Sequence, residues 1–131
     1  MAETVITPAE TWTLREALQT KLLTKCSKVY YRKAKGVEGG PYIVFSLSSG
    51  FYEENDVQYE MEVNILGFGT DTLEVENLTD SVWDMFNHYY EHGGSLSYVV
   101  YPASRNELDE EEKNNIHRRL TFTVKRFIGG Y

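Results

Sequence analysis

The stretch that decides the fold runs from Asp56 to His92, DVQYEMEVNILGFGTDTLEVENLTDSVWDMFNHYYEH. Val57, Tyr59, Met61, Val63 and Ile65 alternate with Gln58, Glu60, Glu62 and Asn64, a period of two that describes a strand buried on one face and wet on the other. After Gly67-Phe68-Gly69 the period lengthens. Val75, Leu78, Val82, Met85 or Phe86, and Tyr89 form one stripe of a helix. Asp71 stands three residues before Glu74, the spacing of an N-cap box, and Gly93-Gly94 supplies the glycine that commonly closes a helix. A strand and a helix that each carry one apolar side belong at the centre of a fold.

Upstream, Thr7-Pro8-Ala9-Glu10 carries a capping threonine, a proline at the first helical position and a glutamate at the third. With Trp12, Leu14, Ala17, Leu18 and Leu22 at helical spacing, it predicts a first helix from Pro8 to about Lys25. Val29 to Arg32 reads as a short strand, Lys33 to Pro41 as a glycine-rich loop, and Tyr42 to Ser49 as a second strand. Downstream, Ser95 to Tyr101 reads as a strand ended near Pro102, Asn106 to Asn115 as an acidic connection, and Ile116 to Phe127 as the last strand. The expected architecture is α+β: a mostly antiparallel or mixed sheet of about five strands, with two main helices on one face. At 131 residues the chain is expected to form a single domain, residues 1–131.

The composition is that of a folded chain, 41% hydrophobic and 14% aromatic, and no apolar run approaches the roughly 18 residues that span a bilayer. One cysteine, Cys26, cannot make an internal disulfide, so the expectation is a soluble protein in a reducing cytoplasm with no membrane role. The net charge of -7 argues against a nucleic-acid binder, whose affinity comes from neutralising phosphates. Charge is segregated: Lys21, Lys25, Lys28, Arg32, Lys33 and Lys35 are free of intervening acids, while Glu53, Glu54 and Asp56, and Glu107, Asp109, Glu110, Glu111 and Glu112, form acidic blocks.

Motifs for chemistry are weak. His88-Tyr89-Tyr90-Glu91-His92 matches the H-x-x-E-H pattern of inverted zinc proteases, where both histidines bind metal and the glutamate activates water. A third ligand on a following helix is needed, but Gly93-Gly94 and a strand follow instead. Gly67-Phe68-Gly69 lacks the third glycine of a dinucleotide turn, and Asp71, Glu74 and Glu76 would repel a pyrophosphate. Gly36 to Gly40 lacks the Gly-Lys-Ser/Thr ending of a phosphate loop. No cofactor, metal or catalytic residue is assigned.

The whole chain resembles the tail terminator proteins of long-tailed phages, also called tail completion or head-to-tail joining proteins. The likeness lies in the first helix with Leu14, Ala17, Leu18 and Leu22, the short Val29-Tyr30 strand, and the glycine-rich loop closed by Pro41-Tyr42-Ile43-Val44-Phe45. It continues in the strand entering Ile65-Leu66-Gly67, the helix with Leu78, Val82 and Phe86, and the final Arg119 to Val124. The resemblance implies a non-enzymatic virion protein, assembled in the host bacterial cytoplasm, that closes as a homo-hexameric ring on the tail tube. Its implied partners are the tail tube protein and a head completion or connector protein, with double-stranded DNA passing an acidic lumen. In such a ring Tyr31, Phe51, Tyr52 and Tyr101 are candidates for subunit contact, because large apolar groups in loops lack an account in a monomer. Glu53, Glu54 and Asp56, or Asp109 to Glu112, are candidates for the lumen. The alternatives are another neck or connector protein of the same particle and, in a different class, a small metal-dependent hydrolase using His88, Glu91 and His92.

Overall fold

The structure, a computed structural model, describes residues 8–36, 39–52, 56–92, 96–108 and 115–127, the side chains of residues 8–12 and 49–52 excepted. In chain order the elements are α1 (Pro8–Leu23), β1 (Val29–Tyr31), β2 (Tyr42–Tyr52), β3 (Asp56–Phe68), α2 (Thr72–Met85), β4 (Tyr89–Glu91), β5 (Tyr98–Glu107) and β6 (Asn115–Phe127). Six strands form one mixed sheet in the order β1-β2-β3-β6-β5-β4, in which β1 runs parallel to β2 and the other neighbours are antiparallel. The alternating stretch from Val57 lies in β3, paired with β2 on one side and, from Asp56↔Phe127 to Phe68↔Asn115, with β6 on the other. Its clean alternation matches a strand buried on one face of that sheet and polar on the other.

The odd-numbered residues Val57 to Ile65 of β3 are buried, as are Ile43, Phe45 and Leu47 of β2, Leu120, Phe122 and Val124 of β6, and Tyr98 and Val100 of β5. Leu14, Leu18 and Leu22 of α1 and Val75, Leu78 and Val82 of α2, with Phe86 just beyond it, join them in one hydrophobic cluster. Phe122 is the hub, with its ring 5.4 Å from Phe86 and 5.5 Å from Trp83. Gly67 lets α2 approach β3: a Cβ there would stand 2.6 Å from Val75 Cγ2. Ion pairs complete the attachment of α2, with Asp80 meeting Arg105 of β5 and Glu76 meeting the buried Arg118 of β6. The first helix touches strands at the two extremes of the sheet. The Arg15 guanidinium lies 4.6 Å from the Tyr31 ring of β1, and Lys21 Nζ lies 4.7 Å from the Tyr89 ring of β4. Those two helix residues are only about 9 Å apart along the axis, whereas six flat strands would span about 24 Å, so the sheet is curled.

Several boundaries differ from expectation. The second helix stops at Met85, where Phe86 N bonds back to Val82 O, and His88 adopts φ 56. Tyr89, Tyr90 and Glu91 then form β4 against Tyr98 to Val100, so the sheet has six strands where about five were expected. Helical spacing ran on by coincidence through aromatic residues that suit a strand at least as well. Tyr98 to Glu107 is a single strand running through Pro102, because a register shift between Pro102 and Ser104 accommodates a residue that cannot donate to the ladder. Asn106 and Glu107 are therefore strand residues. Asp71 occupies the N-cap of α2, yet its carboxylate accepts from Phe68 N at 2.9 Å and makes no bond into the helix. Thr7 and Gly93-Gly94 lie outside the described residues.

Candidate assembly surface

On the sheet face opposite the cluster, the described side chains at the centre of β3 and β6 form a polar lattice. Asn64 is the node: its Oδ1 lies 2.7 Å from His117 Nε2 and accepts from Arg119 Nε at 3.5 Å, while its Nδ2 donates to Glu62 at 3.1 Å. Arg119 also pairs with Glu62 at 3.2 Å, on side chains about 40% exposed. Ser46, Glu62 and Thr121 lie side by side across β2, β3 and β6. Charges of both signs paired in this way are a solvated or interfacial face, not a basic track for phosphates.

Toward the β4 corner the same face becomes aromatic. Tyr90 pairs with Val99, which pairs with Lys125, and His88 stands against Tyr101 with ring centroids 5.3 Å apart. The Tyr90 ring stacks on His92 at 5.8 Å with a 12° tilt and meets the Phe127 ring at 6.3 Å. Tyr90 remains 54% exposed and Tyr101 37% exposed. The strip His92-Tyr90-Phe127, extended by Tyr101 and His88, is thus a surface of aromatic groups whose orientations are set by one another.

Glu91 alternates to the other side of β4, where its carboxylate accepts from Tyr89 OH. Burial, then the bond to Glu91, raises the Tyr89 phenol above its ordinary value, and Lys21 beside it opposes that shift. His88, Glu91 and His92 therefore do not converge. Among the described residues no group of three or more His, Cys, Asp or Glu side chains is placed to hold a metal ion.

Tyr31 is half-buried on β1, with its ring 5.1 Å from Phe45, arginines 15 and 32 over it, and its hydroxyl donating to Leu47 O at 3.4 Å. Phe51 and Tyr52 lie in the backbone of β2, and their side chains are outside the described set, as are Glu53, Glu54 and Asp109 to Glu112. Asp56 is described, half-buried at the start of β3. The described residues next to the two acidic connections, Asp56 and Glu107, lie toward opposite ends of β6. Asp56 faces Phe127 and Glu107 faces Arg118, which along β6 is a separation of about 30 Å. Tyr90, His88 and His92 were missed as a surface because they were assigned to a helix; the alternation of Tyr90 and His92 about Glu91 is the signal that locates them.

An open cleft of about 600 Å³ separates the turn after α1 from α2, lined by Lys25, Lys28, Cys26, Pro41, Glu74 and Asn77 among others. Lys28 Nζ donates to Gly39 O at 3.1 Å, and the Cys26 thiol is half-buried against the carbonyls of Lys28 and Pro41. No helix among the described residues is long and apolar enough to cross a membrane.

No protein-family model matches the sequence, and no curated protein does. Solved structures match the fold. A chain whose name states no function aligns with a TM-score of 0.68 at 10% identity, over 92% of this chain and 95% of that one. A chain from the virion of a native gene transfer agent particle aligns with a TM-score of 0.63 at 9% identity, over 88% of this chain and 90% of that one. At such identities the likeness is one of fold: nearly the whole of this chain shares its architecture with a component of a virion particle.

Proposed function

We propose that this chain is a structural protein of a phage-like virion that caps the tail tube as a homo-hexameric ring and joins tail to head. The observation that carries the proposal is the fold shared over most of both chains with a component of a gene transfer agent virion. Fold alone does not define function, so the ring rests also on the resemblance to tail terminators and on exposed aromatics beside a short edge strand. The partners are further copies of the chain, the tail tube protein and a head completion or connector protein, and the role is non-enzymatic. Duplex DNA passes the ring without adhering, because carboxylates repel phosphates. One of the two blocks, Glu53, Glu54 and Asp56 or Asp109 to Glu112, lines the inner rim of the ring.

The test is assembly on tail tubes. Purified protein mixed with tubes is expected to bind their ends and stop elongation, and to form rings resolvable by electron microscopy. Lysine replacement of Glu53, Glu54 and Asp56, or of Asp109 to Glu112, is expected to make the assembled ring retain duplex DNA at low salt for whichever block lines the rim. Protein that remains monomeric at every concentration, with and without tubes, overturns the proposal. The second reading, another neck or connector protein, is favoured instead if the protein binds connector complexes and leaves tube ends untouched.

A further inference from the structure

β4 is a strand of three residues at one end of the sheet, paired on one side through Tyr89↔Val100, Tyr90↔Val99 and Glu91↔Tyr98. The chain enters it at His88, whose φ of 56 is uncommon for a residue with a Cβ. Alternation gives this short strand two different faces. Inward, Tyr89 OH donates to Glu91, and the Tyr89 ring lies 6.3 Å from the Phe86 ring and 6.0 Å from that of Tyr98. Lys21 reaches across from α1 and sets its Nζ 4.7 Å from the Tyr89 ring. Outward, Tyr90 stands opposite Val99, which is only 7% exposed although it lies outside the hydrophobic cluster. There the rings of Tyr90 and His88 meet Phe127 of β6 and Tyr101 of β5, and His92 stacks on Tyr90. The aromatic strip thus has two parts, one carried by β4 with the residues on either side of it and one carried by the longer strands.

We propose that β4 is a strap that opens and closes on the edge of β5 as a unit of its own, with His88 as hinge and Lys21 as latch, and that the aromatic strip is complete only while the strap is closed. Segments that open by themselves have few buried apolar contacts and an exposed backbone. Tyr89 and Glu91 are half-buried, Tyr90 is exposed, and no strand of the sheet pairs with the outer edge of β4. At the centre of the sheet, by contrast, β3 pairs with β6 from Asp56 to Phe68 and buries its inward side chains. The latch belongs to a different element. Leu14, Leu18 and Leu22 of α1 are fully buried, so Lys21 is carried on a fixed helix, and its attraction for the Tyr89 ring acts only when β4 is in place. Opening would carry Tyr90 and His92 away from Phe127 and uncover Val99. One motion therefore couples a contact on the inner side of the sheet to the surface on its outer side.

Amide hydrogen exchange on the full chain, at a concentration where it is monomeric, tests the strap. The amides bonded between β4 and β5 are expected to exchange at least about a hundredfold faster than those of Met61 to Val63, and to depend little on urea, because the opening exposes little surface. Glu76→Ala lies in α2 and weakens the rest of the fold whether the strap is open or closed; it is expected to speed exchange in β3 and leave β4 unchanged. Lys21→Met keeps a helix-forming side chain of similar length and removes the cation. It is expected to speed exchange in β4 about tenfold and to move the ring-proton shifts of His88 and His92 toward those of free histidine. If exchange in β4 rises with urea as steeply as in β3, and Glu76→Ala accelerates both equally, β4 opens only with the whole fold and the proposal is overturned. Lys21→Met with wild-type exchange in β4 and unmoved histidine signals overturns it as well, since nothing is then latched.

Discussion

The pairing of Glu76 with Arg118 gives a quantitative test of how α2 is held. Arg118 projects from β6 into the region under α2 with its side chain only 7% exposed; its Nε donates to Glu76 Oε1 at 2.7 Å and its Nη1 to His117 O at 3.2 Å. Glu107 lies 3.9 Å away and is 75% exposed, too wet to replace Glu76. Removing one partner of a buried pair costs about 3 to 5 kcal/mol, because the other charge is left desolvated. Glu76 is itself 36% exposed, so water recovers part of that loss, and Glu76→Ala is expected to cost about 2 to 3 kcal/mol. Replacing both, Glu76→Leu with Arg118→Met, removes the buried charge together with its partner and is expected to be within about 1 kcal/mol of wild type. Urea unfolding of wild type, Glu76→Leu, Arg118→Met and the double variant, with an unchanged m-value as the check on two-state behaviour, measures the coupling. If Glu76→Ala costs less than about 0.5 kcal/mol, the pair behaves as an ordinary surface bridge and Arg118 does not depend on α2 for its solvation.

Phe86→Ala empties a fully buried site against Phe122 and is expected to cost about 3 to 5 kcal/mol; an unmoved unfolding midpoint would contradict the packing of this end of α2. Gly67→Ala places a methyl 2.6 Å from Val75 Cγ2, so α2 must move off β3, and the loss of about 1 to 3 kcal/mol in thermal or urea unfolding should shrink when Val75 is also cut to alanine. Burial, with smaller contributions from Tyr89 and Glu91, holds the Tyr98 phenol well above its ordinary value of 10.0. The folded chain therefore keeps a proton that the unfolded chain releases above about pH 10, and the stability this contributes is whole below that pH and declines as the pH rises further. Tyr98→Phe is expected to flatten the alkaline fall in unfolding midpoint, and equal slopes for variant and wild type would refute the assignment.

What the sequence determined by itself is whatever repeats over many residues. The period of two from Val57 to Ile65, and again through Leu120, Phe122 and Val124, marked β3 and β6, because a strand with one wet face must alternate to bury the other. Leu14, Leu18 and Leu22, and Val75, Leu78 and Val82, marked the helix stripes in the same way. Tertiary structure decided what no local period carries. Whether Tyr89 to Glu91 continues a helix or pairs with Tyr98 to Val100 depends on a partner strand becoming available after the chain reverses at His88. That choice turned two histidines expected along a helix into ring contacts of a surface strip, and it aimed Glu91 at Tyr89 on the other side. The passage of β5 through Pro102 rested on β6 lying beside it, since a bulge is a property of two strands. The burial of Arg118 under α2 is likewise invisible in a run that reads Arg118-Arg119. Alternation alone sends one arginine to each face, and only the docked helix makes one of them a desolvated ion that needs Glu76.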